Sequence, residues 1–370
     1  MALDIVVYKL KSAIIFSMIT QILDVSSEPI DIECINQAAD VLKSGGLVAF
    51  PTETVYGLGG DATDKEASRK IYAAKGRPSD NPLIVHIAEF NQLEAISADL
   101  PREARLLADA FWPGPLTMVV KKNDVIPYET TGGLDTVAVR MPSHPVALEL
   151  IRRSGCMIAA PSANTSGRPS PTKASHVYED LSGKIEMILD GGAVDIGLES
   201  TIVDLTEDVV TILRPGYINQ SMLEQVVGQV QIDPAIVYND KGVSSGARPK
   251  APGMRYKHYA PKGDLTIVSG EEQTVIDTIK RLSEADINSG KKVGIIATEE
   301  TKGSYTTGEI LVIGDREDEK SIAHNLYDCL RRFDELEVDT IYSESFETPS
   351  IGQAIMNRLL KAAGQKVIEV

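Results

Sequence analysis

Between residues 30 and 217, apolar positions form short runs that alternate with stretches of helical period. Runs at 47–50, 83–87, 116–120, 136–139, 157–160 and 202–203 read as buried strands. Apolar residues at 34–43, 67–74, 102–111 and 145–154 recur every three to four positions, which predicts amphipathic helices. That alternation is the pattern of an α/β domain. From 218 to 262 it gives way, after one amphipathic stretch, to a segment rich in Gly, Ser and Pro. Residues 241–262 include Lys241, Arg248, Lys250, Arg255, Lys257 and Lys262 and no acid, so they read as a solvated basic linker. Alternation resumes at 263–370, with strands expected at 265–268, 292–297, 310–313 and 340–342 and helices at 275–285, 322–333 and 351–363. This predicts a second, smaller α/β domain with a parallel sheet.

Composition narrows the options. A chain of 370 residues exceeds one ordinary core, in keeping with two domains. Its 37 basic and 53 acidic residues leave a net charge of −16, which disfavours a broad grip on nucleic acid and leaves room only for a weak RNA contact. An anionic ligand must therefore be held locally. Residues 264–370 hold 12 basic and 21 acidic residues, and no glycine-rich phosphate loop, so chemistry is expected in the first domain. Cys34, Cys156 and Cys329 form no C-x-x-C pair, which fits a reducing cytoplasm. The apolar stretch at 12–23 contains Ser12, Ser17, Thr20 and Gln21, is short for a membrane span and lacks a small-residue cleavage site. Met18 is the expected start of the folded protein.

Most standard motifs fail. There is no G-x-x-x-x-G-K-[ST]. Gly57-Leu-Gly-Gly-Asp-Ala62 matches a loose dinucleotide pattern but begins too far after the preceding strand. Gly242-Val-Ser-Ser-Gly246 matches a nucleophile elbow but sits in the linker, and Asn164-Thr-Ser166 is a glycosylation sequon of no use in a cytoplasmic chain.

What remains is a set of polar residues placed directly after apolar strands, where α/β proteins bind ligands. Thr52, Glu53 and Thr54 follow the run at 47–50; Lys75 and Arg77 close a helix at Gly76; Asn81 precedes the run at 83–87 and His86 lies inside it. Arg140 ends another strand, Ser162 and Asn164 follow the run at 157–160, and Glu199-Ser-Thr201 precedes Arg214-Pro-Gly216. Lys75 and Arg77 suit phosphate oxygens, the planar fork of Arg140 suits a carboxylate, and Ser162, Asn164, Ser170 and Ser200 supply neutral donors. Each also has a plainer explanation: a solvated helix end, a salt-bridge partner, a core histidine or a turn former. Spacing alone reaches an anion and nucleotide site.

These strings resemble those of the YrdC-domain threonylcarbamoyl-AMP synthases. The matching segments are Phe50-Pro-Thr-Glu-Thr-Val-Tyr-Gly-Leu58, Lys75-Gly-Arg-Pro78, Asn81-Pro-Leu-Ile-Val-His86, Trp112-Pro-Gly-Pro-Leu-Thr117, Val137-Ala-Val-Arg-Met-Pro142, Ala160-Pro-Ser-Ala-Asn164, Glu199-Ser-Thr-Ile202 and Arg214-Pro-Gly216, in family order. Ala251-Pro-Gly-Met-Arg-Tyr-Lys-His-Tyr-Ala-Pro261 is similar to the linker of the long form, which adds a C-terminal Rossmann-like domain. The resemblance implies a YrdC-like domain with a twisted sheet at 30–217, a linker or lid at 218–262 and the Rossmann-like domain at 263–370.

It also implies roles. Lys75 and Arg77 would be catalytic and, with Asn81, Thr136, Ser162, Asn164, Ser170, Arg214 and the linker's Tyr256, would bind ATP. Thr52, His86, Arg140 and Ser200 would bind threonine. The implied reaction joins L-threonine, bicarbonate and ATP, assisted by Mg²⁺, into threonylcarbamoyl-AMP for the machinery that transfers the group to tRNA. No carboxylate spacing names metal ligands. Arg255, Tyr256, Lys257 and His258 would close over the nucleotide as a lid. An RNA-binding factor and a noncatalytic maturation factor are the rival readings.

Overall fold

The computed structural model describes residues 18–237, 259–346 and 350–370. Residues 1–17, the Gly242–Gly246 string and Arg255, Tyr256, Lys257 and His258 lie outside them.

Helices form where the periodicity placed them, and their ends have local causes. Asp31 caps Ile32–Lys43 by accepting from the Glu33 amide at 2.9 Å, and Asp64 caps Lys65–Lys75 in the same way. The second helix stops at Gly76, whose φ of 60° suits a residue without Cβ. That stop turns the chain so that Lys75 and Arg77 face inward.

The first sheet has 12 strands among the described residues. Across it run Gln21–Asp24, Met187–Asp190, Val48–Phe50, Gly57–Asp61, Ile158–Ala159, Ile84–His86, Thr136–Arg140, Leu116–Lys122, Thr201–Asp204, Val210–Arg214 and Val230–Ile232, with Ser97–Asp99 paired to Leu116–Lys122. Six of these strands lie beyond the sequence expectation: Gln21–Asp24, Gly57–Asp61, Ser97–Asp99, Met187–Asp190, Val210–Arg214 and Val230–Ile232. Gln21–Asp24 comes from the apolar stretch near the start and pairs in parallel with Met187–Asp190. Helix Gln220–Val227 and strand Val230–Ile232 extend this sheet into the segment read as linker. Gly57–Asp61 is a strand rather than a phosphate loop, pairing with Val48–Phe50, and the close approach of Ile158 and Phe50 to Gly59 explains its lack of a side chain.

The second sheet has five strands, all parallel, in the order Glu309–Val312, Val293–Ala297, Thr340–Glu344, Asp264–Ser269 and Val367–Glu369. Helices Glu272–Asn288, Glu319–Glu335 and Gly352–Ala362 cover it. Apolar runs and the 3.6 period placed four of these strands and all three helices, because those strands are apolar and the helices long; the short edge strand Val367–Glu369 was not expected.

The two domains share a core. Val55, Leu198 and Tyr259 pack with Leu326, Tyr327, Leu330, Ile355 and their neighbours in one buried cluster. Buried charge crosses the boundary as well: Arg331 pairs with Asp180 at 2.9 Å and Arg168 with Asp334 at 3.2 Å. Gly197 has φ +81°, and a Cβ there would lie 2.6 Å from His324 Cα. Gly197→Ala is expected to wedge the domains apart and destabilise the protein by about 1–3 kcal/mol, the usual cost of overpacking, read as a lower midpoint in thermal unfolding. An unchanged midpoint would contradict this close approach.

Candidate active site

Strand register carries the polar residues to one end of the first sheet. His86 pairs with Arg140, Arg140 with Thr117, Thr117 with Ile202, and Ile202 with Arg214. Paired residues on adjacent strands share a face, so these positions form one row across five strands. A cavity opens along it. Of the residues expected to hold threonine, Thr52, His86, Arg140 and Ser200 all line this cavity. Of those expected to hold the nucleotide, Arg77, Ser162, Asn164 and Arg214 do.

Within the row stands Arg140, almost fully buried. Its Nη2 pairs with Glu53 Oε1 at 2.6 Å, Nη1 donates to Thr54 Oγ1 at 2.8 Å, and Nε donates to the Gly114 carbonyl at 3.4 Å. Glu53 Oε2 in turn accepts from the Ser143 amide at 3.1 Å. The salt-bridge reading of Arg140 is thus real, and it fixes the guanidinium in the cavity wall. Thr52 Oγ1 lies 2.9 Å from Thr54 Oγ1 and donates to the Val55 carbonyl at 2.6 Å, which sets the turn after Phe50. His86 is buried, and burial first, Arg140 second, lower its pKa to about 3. Its ring is therefore neutral, a group that can donate or accept without adding charge beside Arg140.

Another part of the site is built on the loop after Ile158–Ala159, whose Ser162 and Asn164 line the cavity. Lys75 is only 2% exposed. Its Nζ donates to the carbonyls of Ser162 and Asn164, the latter at 2.5 Å, and so lies beneath the loop rather than on the cavity wall. Burial, then the Arg77 charge, push the Lys75 pKa well below the usual lysine value. Ser162 Oγ donates to Asn164 Oδ1 at 2.5 Å, and Asn164 Nδ2 to the Thr165 and Arg168 carbonyls at 2.9 and 3.0 Å. Arg77 donates from Nη2 to the Asn81 and Pro82 carbonyls at 3.2 and 3.0 Å, while its buried Nε has no partner. The repulsion expected between Lys75 and Arg77 is eased by carbonyl dipoles. Arg214 reaches the Ser200 carbonyl at 3.0 Å and Ser200 Oγ at 3.1 Å. Gly216 permits this, since a Cβ there would come 2.4 Å from the Thr201 amide nitrogen.

Four expected nucleotide residues stand elsewhere. Lys75 supports the loop from below. Asn81 is buried, its carbonyl taken by Tyr72 and Arg77 and its Oδ1 without a partner. Ser170 Oγ donates to Glu199 Oε1 at 2.5 Å, behind the wall. Thr136 begins the strand that Arg140 ends, paired with Lys121, and this opposite end carries it away from the cavity. Tyr256 lies outside the described residues.

Three polar lining residues carry no substrate role in the sequence reading: Thr54, Glu199 and Tyr259. Thr54 and Glu199 sat inside strings already singled out, and Tyr259 stands three residues after Tyr256. Burial alone would raise the Glu199 pKa, but Arg358 and Arg214, with the Ser170 hydrogen bond, outweigh it and hold the value at about 2. Around the cavity Arg77, Arg140 and Arg214 face the carboxylates Glu53 and Glu199, an excess of positive charge suited to an anion. Among the described residues, no group of three or more His, Cys, Asp or Glu could hold a metal ion.

The depressed His86 value has a signed consequence. Between about pH 6.5 and about 3 the unfolded chain binds a proton at this position and the folded protein does not. Stability above that window is therefore lost as pH falls through it, by up to about 1.4 kcal/mol per pH unit. Denaturant midpoints of the parent and of His86→Gln should converge on acidification; parallel curves would contradict the neutral buried ring.

Comparison with known proteins agrees with this architecture. Residues 40–216 match the Sua5/YciO/YrdC family model, described as telomere recombination, and residues 218–364 match the C-terminal domain of threonylcarbamoyl-AMP synthase. The threonylcarbamoyl-AMP synthase of Pyrococcus abyssi is 51% identical over 90% of this chain and 95% of its own length. That of Bacillus subtilis is 48% identical over 90% of this chain and 94% of its own. The crystal structure of P. abyssi Sua5 complexed with L-threonine superposes with a TM-score of 0.88 at 48% identity, covering 95% of this chain and all of that one. The chain belongs to the threonylcarbamoyl-AMP synthase family, in its two-domain form.

Proposed function

We propose that this protein condenses L-threonine, bicarbonate and ATP into threonylcarbamoyl-AMP and pyrophosphate. The observation that supports this most is the single row of registered strand ends. The row brings Arg140 and Arg214 to the cavity that Arg77 also lines, which supports an amino-acid anchor at Arg140 and phosphate anchors at Arg77 and Arg214. Relatives aligned over nearly their whole length share the activity in their names, and one has been crystallised with threonine.

In this reading the threonine carboxylate lies against Arg140 and Thr52, with neutral His86 and Ser200 beside it. The amine attacks bicarbonate carbon and loses a proton, and water leaves to give the carbamate. A carbamate oxygen then attacks the α-phosphorus of ATP. The bond from that phosphorus to the bridging oxygen breaks, and pyrophosphate departs with the electron pair. No protein nucleophile takes part, so rate comes from alignment and from cations that offset phosphate charge. Arg77, Arg214, Ser162 and Asn164 are the proposed phosphate contacts. Lys75 acts by holding the Ser162–Asn164 loop. Asn81, Ser170 and Thr136 would reach ATP only if their surroundings moved.

Mg²⁺ belongs to this proposal as a companion of the ATP phosphates, because the described residues form no cluster that fits a resident ion. No helix among the described residues is long and apolar enough to cross a membrane. Delivery of the product to a tRNA-modifying transferase, and a cytoplasmic location, complete the reading.

The full-length protein should release pyrophosphate from ATP only when threonine and bicarbonate are both present. Release without threonine would contradict the assignment. Arg77→Ala should lower kcat/KM by about 100-fold or more, the scale seen when one preorganised donor is removed, with only a modest fall in thermal midpoint from the loss of its bonds to the Asn81 and Pro82 carbonyls. Near-normal turnover would remove Arg77 from the phosphate site.

A further inference from the structure

We propose that Arg358 and Tyr327, both from the second domain, are positioning residues for this reaction: they fix the spacing between the amino-acid end and the phosphate end of the cavity. Arg358 projects from helix Gly352–Ala362 and is 0% exposed. Its Nε donates to Glu199 Oε2 at 3.1 Å, its Nη2 to the Glu199 carbonyl at 3.3 Å, and its Nη1 to the Pro215 carbonyl. Tyr327, from helix Glu319–Glu335, donates to Glu199 Oε2 at 2.8 Å. One guanidinium therefore grips the residue before Ser200 and the residue after Arg214.

These contacts close a ring. Arg214 donates back to the Ser200 carbonyl and hydroxyl, and Ser200 Oγ lies 2.7 Å from Thr117 Oγ1 in the registered row. The chain of contacts runs from Arg358 to Glu199, Ser200, Arg214 and Pro215 and back to Arg358. With Ser170 also donating to Oε1, the Glu199 carboxylate is committed on both oxygens, so it serves as a tether rather than a base or metal ligand. Its pKa of about 2 accords with that role.

The consequence is specific. The remaining proposed threonine contacts, Thr52, His86 and Arg140, and the remaining phosphate contacts, Arg77, Ser162 and Asn164, take their direct side-chain partners from the first domain. Loosening the ring should leave each substrate bound but misplace the carbamate relative to the α-phosphorus. A misplacement of about 1 Å can cost on the order of 100-fold in rate. A fork is required, because lysine supplies the charge but cannot reach two carbonyls and a carboxylate together.

The test uses the full-length protein and rests on the activity proposed above, which the parent enzyme reports separately. If the parent shows no threonine-dependent pyrophosphate release, that reading fails, whatever the variants do. Arg358→Lys and Tyr327→Phe are compared with the parent for kcat and, by calorimetry, for the separate Kd of threonine and of ATP. The expected result is a fall in kcat of at least about tenfold for Arg358→Lys, a smaller fall for Tyr327→Phe, and both Kd values within about twofold. Unchanged kcat, or losses of both affinities in proportion to kcat, would overturn the proposal. Should Arg358→Lys not fold, Tyr327→Phe removes only one hydroxyl and decides the matter by the same split between kcat and Kd.

Discussion

Cations held out of water are the constraint on which this molecule is organised. Lys75, Arg140 and Arg214 are buried in the first domain and Arg358 in the second. A buried ion without partners costs several kcal/mol, so each must find oxygen in a fixed place. Lys75 finds the carbonyls of the Ser162–Asn164 loop, Arg140 finds Glu53 and Thr54, Arg214 finds Ser200, and Arg358 finds Glu199 and Pro215. The loops after the strands are thereby tied to the sheet at several points. The geometry that binds anions is set before any anion arrives, as electrostatic preorganisation requires.

The same requirement makes the two domains one unit. Glu199 lines the cavity yet takes two of its partners, Tyr327 and Arg358, from the second domain, and Asp180 takes Arg331. Tyr259 packs against Tyr327 with ring centroids 5.2 Å apart, so the chain re-entering after the linker also closes on the cavity. The second domain brings no phosphate loop. Its contribution is to complete the polar wall of the first.

Much of this was legible in the sequence because short apolar strands put their polar successors at one end. Thr52, His86, Arg140, Ser162, Ser200 and Arg214 could be named from position alone, and register then gathered them. Thr136 misled because it belongs to the same strand as Arg140 but to its other end, a distinction that a motif string does not carry. The place of Lys75 beneath the Ser162–Asn164 loop was not legible either, because burial cannot be read from a helix end. Among the strands that were missed, Gly57–Asp61 was hidden by its glycines and Val210–Arg214 by its short, mixed pattern. Arg358 and Tyr327 gave no signal at all, since a residue that reaches another domain's site looks like any other position on an amphipathic helix.

The central claim is that one cavity holds the amino acid at its Arg140 end and the triphosphate at its Arg77–Arg214 end at the same time. A crystal structure of the full-length protein with threonine and a non-hydrolysable ATP analogue tests it most directly. The account requires the threonine carboxylate on Arg140, the phosphates within hydrogen-bonding distance of Arg77 and Arg214, and the amine turned toward the α-phosphorus. Either ligand bound outside this cavity, or each excluding the other, would contradict it.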